Sequence, residues 1–242
     1  MTHVLKLGGS VITEKDTEET VDTGNLATLA DAVAEHDDLV IVHGGGSFGH
    51  PHASAHGVST EAGTHDARGA RAIHDAMKRL NDAVLDALHE RDVPALPVHP
   101  LSAGARSVAG GLSLQTAQVE TMLAEGFVPV LHGDVIAHRG EGVTIVSGDE
   151  LVVAVAEAID ADRVGLCSAV PGVLDDDGEA IPTIDSFDAV ARYLGGSEAT
   201  DVTGGMAAKV RELLALDAPA FVFDVASTRA FLEGDDVGTR ID

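Results

Sequence analysis

Only four lysines occur in the chain, Lys6, Lys15, Lys78 and Lys209, and three of them stand in or beside glycine-rich stretches. Lys6-Leu7-Gly8-Gly9-Ser10 closes the first apolar run, and Lys15 follows in the same loop. Glycines after a strand let backbone N–H groups approach an anion, while a lysine supplies a mobile positive charge. A simple tight turn would use the same glycines. His43-Gly44-Gly45-Gly46-Ser47-Phe48-Gly49-His50 follows a second apolar run. Three consecutive glycines open a backbone nest at a helix start, suited to a phosphoryl group. His50, about one turn further on, can bind an acceptor phosphate. Ser147-Gly148-Asp149 opens another helix. It reads either as an ordinary cap or as a carboxylate that orients lysines or magnesium, with Gly148 leaving room for an acceptor. In Asp201-Val202-Thr203-Gly204-Gly205-Met206-Ala207-Ala208-Lys209, two glycines precede a helix and a cation lies one turn inside it. The combination puts positive charge on both sides of a transferring phosphoryl group. That reaction asks for positioning and neutralisation rather than a covalent nucleophile.

Competing motifs fare worse. Gly44, Gly46 and Gly49 satisfy the dinucleotide fingerprint, but no strand ending in an acid follows about 20 residues later. The acids in range, Glu61 and Asp66, lie outside any strand pattern. No GxxxxGK[ST] sequence occurs, which excludes a P-loop enzyme. His50, His52 and His56 could hold a metal, the last two at helical i, i+4 spacing. No HExxH pattern accompanies them, and twelve histidines are scattered through the chain. The expectation is no resident metal, with His52 and His56 as surface or packing residues.

These residues need elements to hold them. Val4–Leu7 reads as a strand ending at the first glycine pair, and Asp38–His43 as a second ending at the triple glycine. Asn25–His36 has helical spacing, as does a long stretch from about Thr64 to Arg91 with Ile73, Met77, Leu80, Val84 and Leu88 on one face. Strands are expected at Ala95–Val98, Val128–His132 and Arg163–Cys167, with a helix at Leu114–Glu125 and another at Asp149–Ile159. Val135–Ala137 and Val143–Val146 read as a hairpin, and Pro171–Thr183 as a second one. A helix over Gly205–Leu216, a strand at Phe221–Asp224, a short helix at Thr228–Leu232 and a last strand at Gly238–Ile241 complete the alternation. Strands alternating with helices predict an α/β fold with a mostly parallel sheet covered on both faces. Ligands then belong at the carboxyl ends of the strands, where the glycines are.

With 242 residues, 45% of them hydrophobic, the chain suits one large α/β domain or two lobes sharing a sheet, and its one cysteine, Cys167, excludes an internal disulfide. No signal-peptide pattern and no run of membrane-spanning length appears, so a cytoplasmic protein is expected. The formal net charge of −25 repels nucleic acid and anionic membranes, so neither is an expected partner. The acids are spread along the chain, as on the solvated surfaces of proteins from salt-loving organisms.

The chain resembles the amino-acid-kinase superfamily, whose members begin with a lysine-glycine-glycine strand end, and the resemblance runs from Lys6 to the last strand. His43–His50 with Pro51, and Asp201–Lys209, resemble isopentenyl phosphate kinases in particular. The resemblance implies a three-layer α/β/α sandwich, commonly a homodimer, spanning 1–242, with an acceptor-binding lobe over about 1–150 and a nucleotide-binding lobe over 151–242. It implies ATP and Mg2+ as cofactors and a small monophosphate, isopentenyl phosphate, as substrate. The catalytic set would be Lys6, Lys15, His50, Asp149 and Lys209. Gly8, Gly9, Ser10, Gly46 and Gly205 would line the nucleotide phosphates with Lys6 and Lys209. Gly45, Gly46, Gly148 and His50 would hold the acceptor. Where relatives carry Thr-Asp-Val-Asp-Gly-Val, this chain has Ser168-Ala169-Val170-Pro171-Gly172-Val173, leaving Asp175, Asp176 or Asp177 as substitutes for two missing acids. Fosfomycin-type kinases share the histidine loop, uridylate and amino-acid kinases share the fold, and a non-catalytic oxyanion-binding protein would tolerate the lost acids. An apolar acceptor tail would lie near Met77, Leu80 and Val84, residues that ordinary core packing explains equally well.

Overall fold

The computed structural model describes residues 1–194 and 205–242. In chain order the N-terminal part runs β1 (His3–Leu7), α1 (Gly9–Ile12), α2 (Thr23–Val33), β2 (Leu39–His43), α3 (Gly46–Ala55), α4 (Ala67–His89), β3 (Ala95–Val98), α5 (Pro100–Ala103), β4 (Gly104–Arg106), β5 (Leu112–Leu114), α6 (Ala117–Ala124), β6 (Val128–His132), β7 (Asp134–His138) and β8 (Gly142–Val146). The remainder is α7 (Gly148–Ala158), β9 (Arg163–Cys167), β10 (Thr183–Ile184), α8 (Phe187–Val190), α9 (Gly205–Leu213), β11 (Ala220–Phe223), α10 (Thr228–Leu232) and β12 (Thr239–Ile241).

Eight strands form one sheet in the order β10-β12-β11-β9-β1-β2-β6-β3. Neighbours from β11 through β3 are parallel, and β12 runs antiparallel to β11. The buried strands are continuous apolar runs, as expected where helices cover both faces. Alternation along β1 decides which side chain meets which layer. Val4 packs in one core with Leu151, Val155 and Val210 from α7 and α9, whereas Leu5 and Leu7 pack in the other with Leu29, Leu80 and Phe231 from α2, α4 and α10. Lys6 shares the face of Val4, so its stem points toward α7.

The structure departs from the sequence expectations locally. Helix α4 begins at Ala67 rather than near Thr64, because Asp66 caps it and Thr64 bridges to Val143. Helix α6 begins at Ala117 rather than Leu114, because Leu112–Leu114 pairs with Gly104–Arg106; these two unanticipated strands extend the expected hairpin of β7 and β8 to a four-stranded sheet, β5-β4-β7-β8. The expected hairpin over Pro171–Thr183 narrows to one antiparallel bridge, Leu174 to Ala180. Pro171 and Pro182, which have no N–H to donate, flank it, and Thr183–Ile184 instead pairs in parallel with β12. Leu80 and Val84 are fully buried core.

Candidate active site

A cleft of about 840 Å³ opens at the carboxyl ends of β1, β2, β6 and β9. Lys6, projecting from β1 toward α7, donates to Asp149 Oδ1 at 2.5 Å, and Lys209 Nζ on α9 lies 3.5 Å from the other oxygen, Oδ2. One carboxylate therefore holds two cations that arrive from opposite ends of the chain. Burial alone would raise the Asp149 pKa, but the charges of Lys6 and Lys209 outweigh it and hold the carboxyl below its ordinary value. Lys78, the lysine outside the motifs, pairs with Asp75 at 3.7 Å on the surface of α4.

Two glycine loops meet under the cleft. A Cβ placed on Gly9 would lie 2.3 Å from the amide nitrogen of Gly46, a separation that two backbones reach only if neither carries a side chain there. Gly46 also has φ +46°, in the left-handed region. Thr13 stitches the loops together: its hydroxyl donates to the Gly9 carbonyl at 2.7 Å and accepts from the Ser47 N–H at 3.0 Å. No spacing rule pointed to Thr13. Its signal is only its position one turn after Gly9. Helix α7 starts with a capping box, in which Ser147 Oγ accepts from Glu150 N and the Glu150 side chain accepts from Ser147 N, each at 3.0 Å. The S-x-x-E spacing was there to be read; the cap assignment from Ser147 and Asp149 missed the part played by Glu150.

The cleft collects most of the expected residues. Lys6, Gly8, Gly9, Ser10, Lys15, Gly45, Gly46, His50, Gly148, Asp149 and Lys209 all line it. Gly205 does not line it, but begins α9 with φ +64°, setting the helix from which Met206 and Lys209 reach in. Asp201–Gly204 of the same motif lie outside the described residues. Along α3, which carries His50, part of the cleft is apolar: Ala53, Ile73 and Ile145 pack together there, and Met77 lies against Gly45 and Gly49. Met77 and Ile73 thus face the cleft. A second cavity of about 280 Å³ shares Ser10 and Ser168 with the first and continues past Ala169 to Asp224 and Val225 at the end of β11.

Asp175, Asp176 and Asp177 line neither cavity. Asp175 Oδ1 instead accepts the N–H groups of Asp177 and Glu179 in its own turn, at 2.9 and 3.0 Å. Cys167 reaches the cleft, but burial pushes its thiol up to about 12, so it stays protonated and unreactive. His52 pairs with Glu19 at 2.7 Å, and among the described residues no three His, Cys, Asp or Glu side chains converge on a metal position. Behind the cleft lies a histidine group that the sequence did not single out. His43 Nε2 meets Asn81 Oδ1 at 3.0 Å, His43 stacks on His132 with 5.5 Å between ring centres, and His132 Nε2 lies 2.8 Å from His99 Nδ1. His74 reaches Asp134 at 2.8 Å beside them.

A doubly wound sheet, glycine loops at its carboxyl ends and two lysines held on one acid define a phosphate-transferring class. The chain belongs to the amino acid kinase family, whose model matches residues 1–217. Within that family its likeness is to the isopentenyl phosphate kinases. It is 68% identical to the isopentenyl phosphate kinase of Haloferax volcanii, over 98% of this chain and 97% of that protein. It is 33% identical to that of Methanocaldococcus jannaschii, over 100% of this chain and 99% of the relative. A crystal structure of an isopentenyl phosphate kinase superposes with a TM-score of 0.85 at 30% identity, each chain covered in full. The three-layer α/β/α architecture expected from the resemblance is thereby established.

Proposed function

We propose that the chain transfers the γ-phosphoryl group of ATP to the phosphate of isopentenyl phosphate, giving isopentenyl diphosphate. The observation that carries this reading is Asp149, which spaces Lys6 and Lys209 on either side of one point in a cleft with an apolar part and a polar part. The full-length likeness to isopentenyl phosphate kinases supports the choice of acceptor.

The acceptor phosphate sits against Gly45, Gly46, Gly148 and His50, and its short branched tail lies against Ile73, Met77 and Ile145. Residues of about 1–150 supply this half. The nucleotide extends toward Ser168, Ala169 and Asp224, with its phosphates over Gly8, Gly9 and Ser10, and residues 151–242 supply most of that half. An acceptor oxygen, already ionised near neutral pH, attacks the γ-phosphorus in line as the bond to the β,γ-bridging oxygen breaks and ADP leaves, so no general base is needed. Lys6, Lys15 and Lys209 offset the charge that spreads over the transferring oxygens.

Asp149 is occupied by two lysines, so magnesium fits this site as an ion carried mainly on the nucleotide phosphates, where it would neutralise their charge. Asp16 and Glu18, which also line the cleft, would hold its water shell. Cytoplasmic residence, homodimeric assembly and a saline habitat complete the reading. They rest on the single thiol, on the family resemblance and on the −25 charge respectively.

The test is ATP-dependent turnover by the purified chain with magnesium and high potassium chloride. Isopentenyl phosphate, dimethylallyl phosphate, uridylate and fosfomycin would be run in parallel. Selective turnover of isopentenyl phosphate is expected. Turnover of another acceptor alone would overturn the substrate, and turnover of none would overturn catalysis.

A further inference from the structure

Arg106 touches neither cavity, yet it reaches the helix that presents Asp149. It lies on β4, in the small four-stranded sheet, and is only 7% exposed. Its Nη1 donates to the Gly110 carbonyl at 3.1 Å, and its Nη2 donates to the Ile145 carbonyl at 3.1 Å and to Glu150 Oε1 at 2.7 Å. The other oxygen of Glu150 accepts the Ser147 N–H in the capping box. A continuous line of polar contacts therefore runs from β4 through Glu150 into the first turn of α7. It ends one residue from the carboxylate that holds Lys6 and Lys209. Ile145 also lines the apolar part of the cleft, so the same guanidinium ties the acceptor wall to the lysine-bearing centre.

We propose that Arg106 is a positioning residue for phosphoryl transfer: by fixing Glu150 and the first turn of α7, it sets the spacing of Lys6 and Lys209 on Asp149. The inference deepens the kinase reading above and rests on it.

Charge strengthens the geometric argument. Among the described residues, three acids, Asp149, Glu150 and Glu212, share this region with three cations, Lys6, Lys209 and Arg106. Glu212 lies on α9 three residues beyond Lys209, and among the described residues its buried Oε2 has no hydrogen-bond partner. Burial, followed by the charges of Asp149 and Glu150, pushes its carboxyl up to about 7. Without Arg106, the half-buried Glu150 carboxylate loses its cation next to Lys6 and Lys209 and turns to another partner or to solvent. Either outcome shifts the lysines or the helix start. A role in folding alone would lower stability and leave the turnover of folded molecules unchanged.

The experiment measures kcat and KM for ATP and isopentenyl phosphate in wild type, Arg106→Met, Arg106→Lys and the double variant Arg106→Met/Glu150→Gln. Active sites are counted by binding of a non-hydrolysable ATP analogue, and thermal midpoints are recorded alongside. Arg106→Met is expected to lower kcat about 10- to 100-fold, with both KM values within about threefold, the pattern of a lost transition-state arrangement. Arg106→Lys keeps the charge but not the two-pronged reach, and should fall only a few-fold. It carries the test if Arg106→Met does not fold. The double variant should recover part of the lost rate, since removing both partners leaves no stranded charge. Wild-type kcat in Arg106→Met or Arg106→Lys, once active sites are counted, would overturn the inference alone. A wild-type chain that phosphorylates no acceptor would instead overturn the kinase reading, and this inference with it.

Discussion

Replacing Asp149 by asparagine keeps the shape of the side chain and removes the charge that Lys6 and Lys209 share. At the effective dielectric suited to such sites, about 20, unit charges at the 3.5 Å of the Lys209 contact attract by roughly 5 kcal/mol, and the shorter Lys6 contact by somewhat more. Most of that attraction is offset by the cost of burying the carboxylate, which the asparagine no longer bears. The net loss of stability is about 3 kcal/mol, the low end for breaking a buried pair by removing one partner. For a chain of this length that lowers the thermal midpoint by roughly 6–12 °C. Catalysis suffers differently. The two ammonium groups, no longer drawn to one point, repel each other, and kcat should fall about 10²- to 10³-fold, as when one preorganised charge-stabilising contact is lost. Nucleotide binding should not weaken, because the lysines then carry more uncompensated positive charge toward the phosphates. Addition of a non-hydrolysable ATP analogue should therefore raise the midpoint of Asp149→Asn by more than that of wild type. Steady-state kinetics and thermal scans with and without the analogue read all three quantities. If nucleotide affinity fell in step with kcat, Asp149 would be contacting the nucleotide rather than spacing the lysines, and the reasoning would be wrong.

His50→Ala should lower kcat/KM for isopentenyl phosphate by about 10- to 150-fold, the value of one hydrogen bond to a charged group, with circular dichroism unchanged; near wild-type kinetics would remove His50 from the acceptor site. Stability should decline as pH falls below about 6.5, because His43, His99 and His132 have folded-state pKa values lowered first by burial, so the unfolded chain takes up protons that the folded chain refuses. Each such histidine contributes up to about 1.4 kcal/mol per pH unit. Glu212, raised by burial to about 7, acts with the opposite sign through this window and offsets about one histidine, and Asp134, raised by burial and facing His74, also acts with the opposite sign. Thermal midpoints between pH 7.5 and 5.5 check this, and His132→Gln should flatten the slope. Finally, the midpoint should climb with potassium chloride as screening relieves the −25 charge, and a salt-independent midpoint would show that the surface acids do not repel enough to matter.

How much of this could be read from the sequence depends on how local each signal is. The parallel strands were legible because burial on both faces makes them unbroken apolar runs. The glycine loops were legible because close backbone approach at Gly9 and Gly46 permits no other residue. Alternation along β1 was enough to place Lys6 on one face. It could not show that the helix on that face would offer Asp149, nor that Lys209 would reach the same carboxylate from the far end of the chain. Of the small sheet, the hairpin of Val135–Ala137 with Val143–Val146 was legible as β7 and β8, and the other half escaped. Gly104-Ala105-Arg106 is too short to show a period, and it becomes a strand only through pairing with Leu112–Leu114 and β7. Thr64 resembled a helix start for as long as its bridge to Val143 was unknown.

The turn after β9 shows the same limit from the other side. The missing acids at Ala169 and Pro171 were visible, and the following aspartates stood close enough in sequence to replace them. In the fold Asp175 closes its own turn, while Ala169 still borders the cavity that continues from the cleft. A residue type lost from a motif is therefore not restored by a neighbour of the same type unless the backbone aims that neighbour at the site. Asp224, from a different strand, is the acid that borders this cavity. Its Oδ1 is engaged by Ser227, which donates from both its N–H and its hydroxyl. Among the described residues, the end of the cleft proposed for the nucleotide is thus poorer in uncommitted carboxylate than the family motif implies, and on that proposal a magnesium ion there would be held mainly by the nucleotide phosphates.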